Sequence, residues 1–281
     1  MNIHEALKLF QDRLGLKLGD YCLPQAEQTL ETLLACNRTE LYLHKGKQLN
    51  PEIISQLESV IDRRLNGEPL QYILGSVFFY NREFRITPDV LIPRPDTEVL
   101  VEQVLSIEKS GKCLFADVGT GSGIISCILA EERHGWSGVG MDISKEALKV
   151  AISNRKTSNL NFVCSDLFSA LSNVPRFDFI VSNPPYISAD ELKTIDISVR
   201  GYEPLIALYG GVDGLLFYRR LAEEASGHLV AGGRLYCEIG YNQEQVVKSI
   251  FKSFGWEKFR VIKDLGGNSR VIITEKSDQL Q

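Results

Sequence analysis

From Lys112 onward, short apolar runs alternate with stretches of helical periodicity, and this alternation restricts the fold more than any other feature of the chain. Cys113 to Asp117, Gly138 to Asp142, Asn161 to Ser165, Phe177 to Ser182 and Arg234 to Ile239 read as strands. Ile124 to Glu131, Lys145 to Asn154, Gly214 to Leu229 and Gln243 to Phe254 read as helices between and after them. Phe259 to Lys263 and Arg270 to Thr274 close the chain, joined through Gly266-Gly267-Asn268. So short a connection suits an antiparallel pair, because a parallel crossover needs a dozen or more residues. The expected architecture is α/β: a doubly wound sheet with an antiparallel C-terminal strand.

The first 75 residues have a different texture. Ala6-Leu7, Leu9-Phe10 and Leu14 share one helical face, as do Ala26, Leu30, Leu33 and Leu34. Pro51 opens the clearest amphipathic helix, with Ile53, Ile54, Leu57, Val60, Ile61 and Leu65 on its apolar side, and Gly67 ends it. A length of 281 residues favours two domains. The expected division is a helical bundle over 1–75, a β-hairpin linker over 76–95 and the α/β domain over 96–281. The linker's hairpin is expected from Val77-Phe78-Phe79-Tyr80 and Glu83-Phe84-Arg85-Ile86 around Asn81-Arg82. In the helix that follows, Asp96 or Thr97 is the expected cap.

Six cysteines form no CxxC pair and four histidines are widely spaced, so buried thiols and no metal centre are expected. A net charge of −5 argues against a broad nucleic-acid footprint. No apolar run could span a bilayer, and charges interrupt the first residues, so a cytoplasmic protein without a membrane partner is expected.

Two loops carry the chemistry. Asp117-Val118-Gly119-Thr120-Gly121-Ser122-Gly123 joins the first strand of the sheet to its helix, and glycines there let a ligand approach the backbone. Such a turn also serves packing alone. Asp142, about twenty residues on at the end of the next strand, stands where these folds bind ribose hydroxyls, and Asp166 ends the strand after that. Three carboxylates at neighbouring strand ends favour a nucleoside-containing ligand. The second loop, Asn183-Pro184-Pro185-Tyr186, follows an apolar strand. Its prolines have fixed φ and no backbone donor, which leaves a stiff set of carbonyl and carboxamide acceptors beside an aromatic ring. An NH₂ on a planar π system fits that equipment; a proline-rich turn capped by Asn is the plainer alternative.

These loops, taken with Ile92-Pro93-Arg94-Pro95-Asp96-Thr97-Glu98, Tyr202-Glu203-Pro204, Gly210 to Leu215 and Glu238-Ile239-Gly240, resemble the HemK-type (PrmC-type) protein-(glutamine-N5) methyltransferases that modify bacterial peptide chain release factors. The resemblance spans nearly the whole chain. It implies a Rossmann-like class I methyltransferase sheet with S-adenosyl-L-methionine as cofactor, and a helical N-terminal domain that recognises the substrate. It implies that Gly119, Thr120, Gly121, Ser122 and Gly123 wrap the methionine end and that Asp142 holds the ribose. Asn183 would also border the cofactor. Many members have Trp after the residue matching Asp166; here Leu167 and Phe168 follow, and either could cover the adenine, Leu167 being the one assigned. Asn183, Pro184, Pro185 and Tyr186 would bind the substrate glutamine, with Asn183, Pro184 and Tyr186 catalytic and Glu98 structural. The partner implied is a release factor, with a monomeric enzyme and no nucleic-acid substrate. Two alternatives stand beside it: an adenine-N6 nucleic-acid methyltransferase, which shares the amine pocket, and a non-catalytic cofactor-binding module.

Overall fold

The computed structural model describes residues 1–109, 111–171 and 177–275. The chain divides into two compact units, Met1–Ser76 with Ile197–Tyr202, and Val77–Asp196 with Glu203–Gln281.

The first unit is helical: α1 (Ile3–Leu18), α2 (Cys22–Leu34), α3 (Arg38–Leu43), α4 (Pro51–Leu65) and α5 (Leu70–Leu74). Ile3, Ala6, Leu7, Phe10 and Leu14 recur at helical spacing on α1 and are buried in one cluster with Ala26 and Leu30 of α2 and Leu57, Val60 and Ile61 of α4. Side chains close the helix starts. Asn2 with Glu5 and Asn37 with Glu40 form reciprocal capping boxes on α1 and α3. Asn50 Oδ1 accepts the Ile53 N–H at 2.8 Å, with Pro51 in the first turn of α4. Glu27 is buried on α2, where Arg38 Nε donates to it at 2.9 Å and the Tyr42 hydroxyl also donates. Tyr202 Oη donates to the Asn66 carbonyl at 3.0 Å, which ties the segment Ile197–Tyr202 into this unit. Asn50→Ala is expected to lower unfolding free energy by about 1 kcal/mol, read as a lower urea midpoint; an unchanged midpoint would deny the cap any role.

The second unit opens at Val77 with the hairpin β1 (Ser76–Phe79) and β2 (Arg82–Arg85), whose first residue alone is grouped with the first unit. There follow α6 (Thr97–Ile107), β3 (Cys113–Val118), α7 (Ile124–Glu132), β4 (Trp136–Asp142), α8 (Lys145–Asn154), β5 (Leu160–Cys164) and β6 (Phe177–Ser182). Three single turns, α9 (Glu191–Thr194), α10 (Ile197–Arg200) and α11 (Leu205–Leu208), come next, with α10 grouped in the first unit. The chain ends with α12 (Leu216–Glu224), β7 (Leu229–Glu238), α13 (Glu244–Ser253), β8 (Lys258–Lys263) and β9 (Ser269–Glu275).

The seven-stranded sheet has the order β5-β4-β3-β6-β7-β9-β8. Strands β3 to β7 are parallel, and β9 runs antiparallel between β7 and β8. This is the expected class of sheet, with the last strand inserted between its neighbours. Register aligns the strand ends: Val118 pairs with Met141 and with Ser182, so the loops after β3, β4 and β6 leave from one edge. Phe115, Trp136 and Phe179 pack as a ring cluster, with Phe115 stacked on Phe179 at 5.3 Å and Trp136 edge-on to Phe179 at 5.1 Å.

Two expectations change. The hairpin read as a linker is part of the second unit: Arg82 pairs with Glu131 at 3.1 Å and with Glu132, and Asn154 exchanges bonds of 2.8 and 2.9 Å with the Arg85 backbone. Two strands cannot bury a core of their own, so the hairpin docks on α7 and α8. Strand β7 begins at Leu229, not Arg234, and pairs with β6 through a register shift that accommodates Gly232 and Gly233. Helix α12 correspondingly ends at Glu224 and a 3₁₀ turn, Ala225–His228, leads into the strand. Among the described residues, no helix is long and apolar enough to cross a membrane.

Candidate functional site

A cavity of about 290 Å³ opens at the C-terminal edge of the parallel strands, where ligands of open α/β sheets bind. Its floor is the loop after β3. Asp117, fully buried, anchors that loop from below: its Oδ2 accepts the Thr120 hydroxyl at 2.6 Å and the Ser126 N–H at 3.2 Å. Burial pushes the Asp117 carboxyl up to about 6, against the pull of these bonds. Gly119 and Gly121 have φ of 74° and 55°, and a Cβ on either would meet no described atom within 4 Å. The open side of this turn faces the cavity, so its glycines expose backbone to a ligand.

Asp142 ends β4 on the cavity wall. Its Oδ2 accepts the Gly121 N–H at 2.8 Å and its Oδ1 the Ser144 N–H at 2.9 Å. A carboxylate has about four acceptor positions, so Asp142 keeps capacity for hydroxyl donors. Desolvation raises its pKa, and the backbone bonds from Ser144 and Gly121 work against that.

Asp166 and Leu167 also line the cavity. Asp166 is tied to Arg220 of α12 at 2.7 Å. Leu167 lies in the left-handed region at φ 47°, which costs a non-glycine residue about 1–3 kcal/mol. Phe168 turns away and stacks on His228 at 4.6 Å in the core. Of the two candidates for apolar cover, Leu167 alone lines the cavity.

Asn183, Pro184 and Pro185 follow β6 and border the same cavity as the glycine loop, Thr120, Ser122 and Asp142. Asn183 Nδ2 donates to Thr97 Oγ1 at 3.2 Å, and Thr97 donates in turn to Glu238 Oε2 at 2.7 Å. No described residue donates to Asn183 Oδ1 or to the Pro184 carbonyl. Two acceptors therefore stand unpaired on adjoining residues of the wall.

Tyr186 and Gly123 of the expected site do not line the cavity. The Tyr186 ring packs against the core cluster beside β7 and its carbonyl accepts Gln243 Nε2 at 3.0 Å. Burial pushes its hydroxyl up to about 12, so it holds its proton at neutral pH. Gly123 is the packing glycine of the loop: a Cβ there would come within 2.9 Å of Ala151 Cβ.

Residues 5–75 match the PrmC N-terminal domain and residues 95–198 the methyltransferase small domain. The release factor glutamine methyltransferase of Thermodesulfovibrio yellowstonii is 38% identical over 267 residues, covering 91% of this chain and 93% of the relative. That of Koribacter versatilis is 39% identical over 254 residues, covering 89% and 90%. The chain belongs to the release factor glutamine methyltransferase family. In fold, the crystal structure of a methyltransferase from Pyrococcus furiosus superposes with a TM-score of 0.53 at 21% identity, over 77% of this chain and 97% of that one.

Several residues in or around the cavity were not read as site residues. Within Ile92 to Glu98, each polar side chain has a partner. Arg94 pairs with Glu203 at 2.6 Å, Asp96 with Arg270 at 3.0 Å, Thr97 with Glu238, and Glu98 accepts the Tyr80 N–H at 2.9 Å. Neither Asp96 nor Thr97 caps α6 with its side chain, because both are committed elsewhere. Glu203 also accepts the Ile92 N–H at 3.2 Å, which joins two of the segments that carry the resemblance. Gly210 lets its strip of chain lie against the second loop: a Cβ would fall 2.7 Å from the Pro185 carbonyl. Phe217 and Arg220 of α12 complete the far wall, and no motif marks them.

Proposed function

We propose that the chain transfers a methyl group from S-adenosyl-L-methionine to the side-chain amide nitrogen (N5) of the glutamine in the Gly-Gly-Gln loop of bacterial release factors. The observation that carries this reading is the pair of unpaired acceptors, Asn183 Oδ1 and the Pro184 carbonyl, on the wall that also holds the glycine loop and Asp142. The residues fit the cofactor. Gly119 and Gly121 offer open backbone, Thr120 and Ser122 line the same floor, Asp142 retains acceptor capacity for ribose hydroxyls, and Leu167 supplies an apolar surface for a base. When bound, the cofactor supplies a sulfonium-activated methyl group.

A carboxamide nitrogen is a weak nucleophile because its lone pair is delocalised into the carbonyl. Asn183 Oδ1 accepting one amide hydrogen and the Pro184 carbonyl accepting the other hold the nitrogen in one orientation. They also favour the partly positive nitrogen that develops as it reacts. Pro185 keeps the loop stiff. Tyr186 contributes by holding the loop against the core, and its protonated hydroxyl is no base. The methylated amide is acidic enough to release its proton to water, so His and Cys need no part. The two carbonyl acceptors have no use for a substrate without hydrogens on nitrogen. Gln→Glu in the substrate loop is therefore expected to abolish methylation.

Incubation with labelled S-adenosyl-L-methionine and either a release factor or DNA, followed by mass spectrometry, tests the reading. Methyl is expected on the loop glutamine alone. Label on adenine, or on a residue other than glutamine, would overturn it.

A further inference from the structure

We propose that Thr97 and Glu238 are positioning residues which fix the carboxamide of Asn183 with its oxygen toward the cavity. This rests on the reading of Asn183 as the acceptor for the substrate amide. Thr97 starts α6 and Glu238 ends β7; both side chains are buried, and Glu238 does not line the cavity.

A hydroxyl carries one proton. Thr97 Oγ1 gives its proton to Glu238 Oε2 at 2.7 Å in a charge-assisted bond, so it meets Asn183 only as an acceptor. Asn183 then has to present its NH₂ group, as it does at 3.2 Å, and its oxygen is left for the cavity. Rotating the carboxamide by half a turn would set its oxygen against the threonine lone pairs, with a carboxylate behind them. In a dry interior that contact is strongly unfavourable. The ionised carboxylate thus selects which end of Asn183 faces the substrate.

The surroundings of Glu238 make this selection dependent on pH. Arg270 of β9 and Asp96 before α6 are the charged groups facing it. Tyr186 after β6, Tyr218 of α12 and its neighbour Cys237 are the other titratable groups nearby, and the Tyr218 hydroxyl donates to the Glu238 carbonyl at 3.1 Å. Burial pushes the Glu238 carboxyl up to about 7, while Thr97, Arg270 and the Asn183 amide itself favour the ionised form, and Asp96 opposes it. Below that pH the acid can donate to Thr97. The threonine proton is then freed toward Asn183, which favours the wrong end of the amide.

The test compares Thr97→Val, Thr97→Ser, Glu238→Gln and Asn183→Ala for kcat, cofactor Kd and the pH profile on a release factor substrate. Valine and glutamine keep the volumes of the residues they replace. Thr97→Val and Glu238→Gln are each expected to lower kcat roughly tenfold with cofactor Kd unchanged, at the low end of effects for residues that orient a reacting group. Thr97→Ser keeps the hydroxyl and is expected to restore the rate. The acid limb near pH 7 should vanish in Glu238→Gln, and Thr97→Val should add nothing to Asn183→Ala. A parent rate in Thr97→Val beside a slow Asn183→Ala would overturn the positioning role alone. So would Thr97→Ser being as slow as Thr97→Val, or a loss of cofactor affinity that accounts for the whole effect. A parent rate in Asn183→Ala would instead overturn the functional reading of the site, and the positioning role with it.

Discussion

Replacing Asn183 with alanine is expected to lower kcat by roughly 10²–10³-fold while cofactor affinity stays near the parent value. The magnitude is that of removing one preorganised group from the place where charge develops in a transition state. The separation of kcat from affinity follows from the geometry. Asn183 spends its NH₂ on Thr97, and its oxygen, at the end of β6, accepts from no described residue. It contributes nothing to the hydrogen bonds that shape the loop after β3, which depend on Asp117 and Asp142. Steady-state rates with a release factor, paired with cofactor titration by calorimetry, read the two quantities separately. An unchanged kcat would remove Asn183 from the chemistry.

Asp142→Ala is expected to do the reverse. Losing charge-assisted hydrogen bonds to ribose hydroxyls weakens binding by about 1.5–3 kcal/mol, or roughly 10- to 150-fold in Kd. The rate at saturating cofactor should change little. The same carboxylate holds the Gly121 and Ser144 N–H groups, so its removal also loosens the glycine turn on the floor of the cavity. Asp142→Asn keeps one acceptor oxygen and should fall between the parent and the alanine variant. Undiminished affinity of Asp142→Ala in a calorimetric titration would contradict the ribose assignment.

The strand and helix boundaries around the site were legible because the signals there are local. The glycines of residues 119–123, Asp142 at the end of an apolar run, and the prolines after Ser182 are each read from a few neighbouring residues. The start of β7 was less legible. Gly232 and Gly233 look like a loop, and only pairing with β6 draws Leu229 to Gly233 into the strand. The hairpin at 76–85 was recognisable as a hairpin, but its attachment to α7 and α8 rests on Arg82 and Asn154 meeting residues about fifty and seventy positions away.

Phe168 shows the same limit inside the site. Leu167 and Phe168 are adjacent apolar residues, and nothing in their order says which of them meets a ligand. The left-handed φ of Leu167 and the stacking of Phe168 on His228 settle which one lines the cavity. Tyr186 could be placed beside Asn183 by sequence, yet its ring belongs to the core because Gln243 and Gly210 hold the backbone on either side of it.

Periodicity and loop chemistry were therefore enough to specify the parallel sheet, the edge at which the cavity opens, and the acceptor groups of Asn183-Pro184. Those properties come from backbone preferences and side-chain types that act over a few residues. The link from Glu238 through Thr97 to Asn183 could not be read in that way. It joins positions separated by 141 and 86 residues. Its meaning depends on where one hydroxyl proton goes once a carboxylate has been withdrawn from water, and folding alone brings those three side chains together.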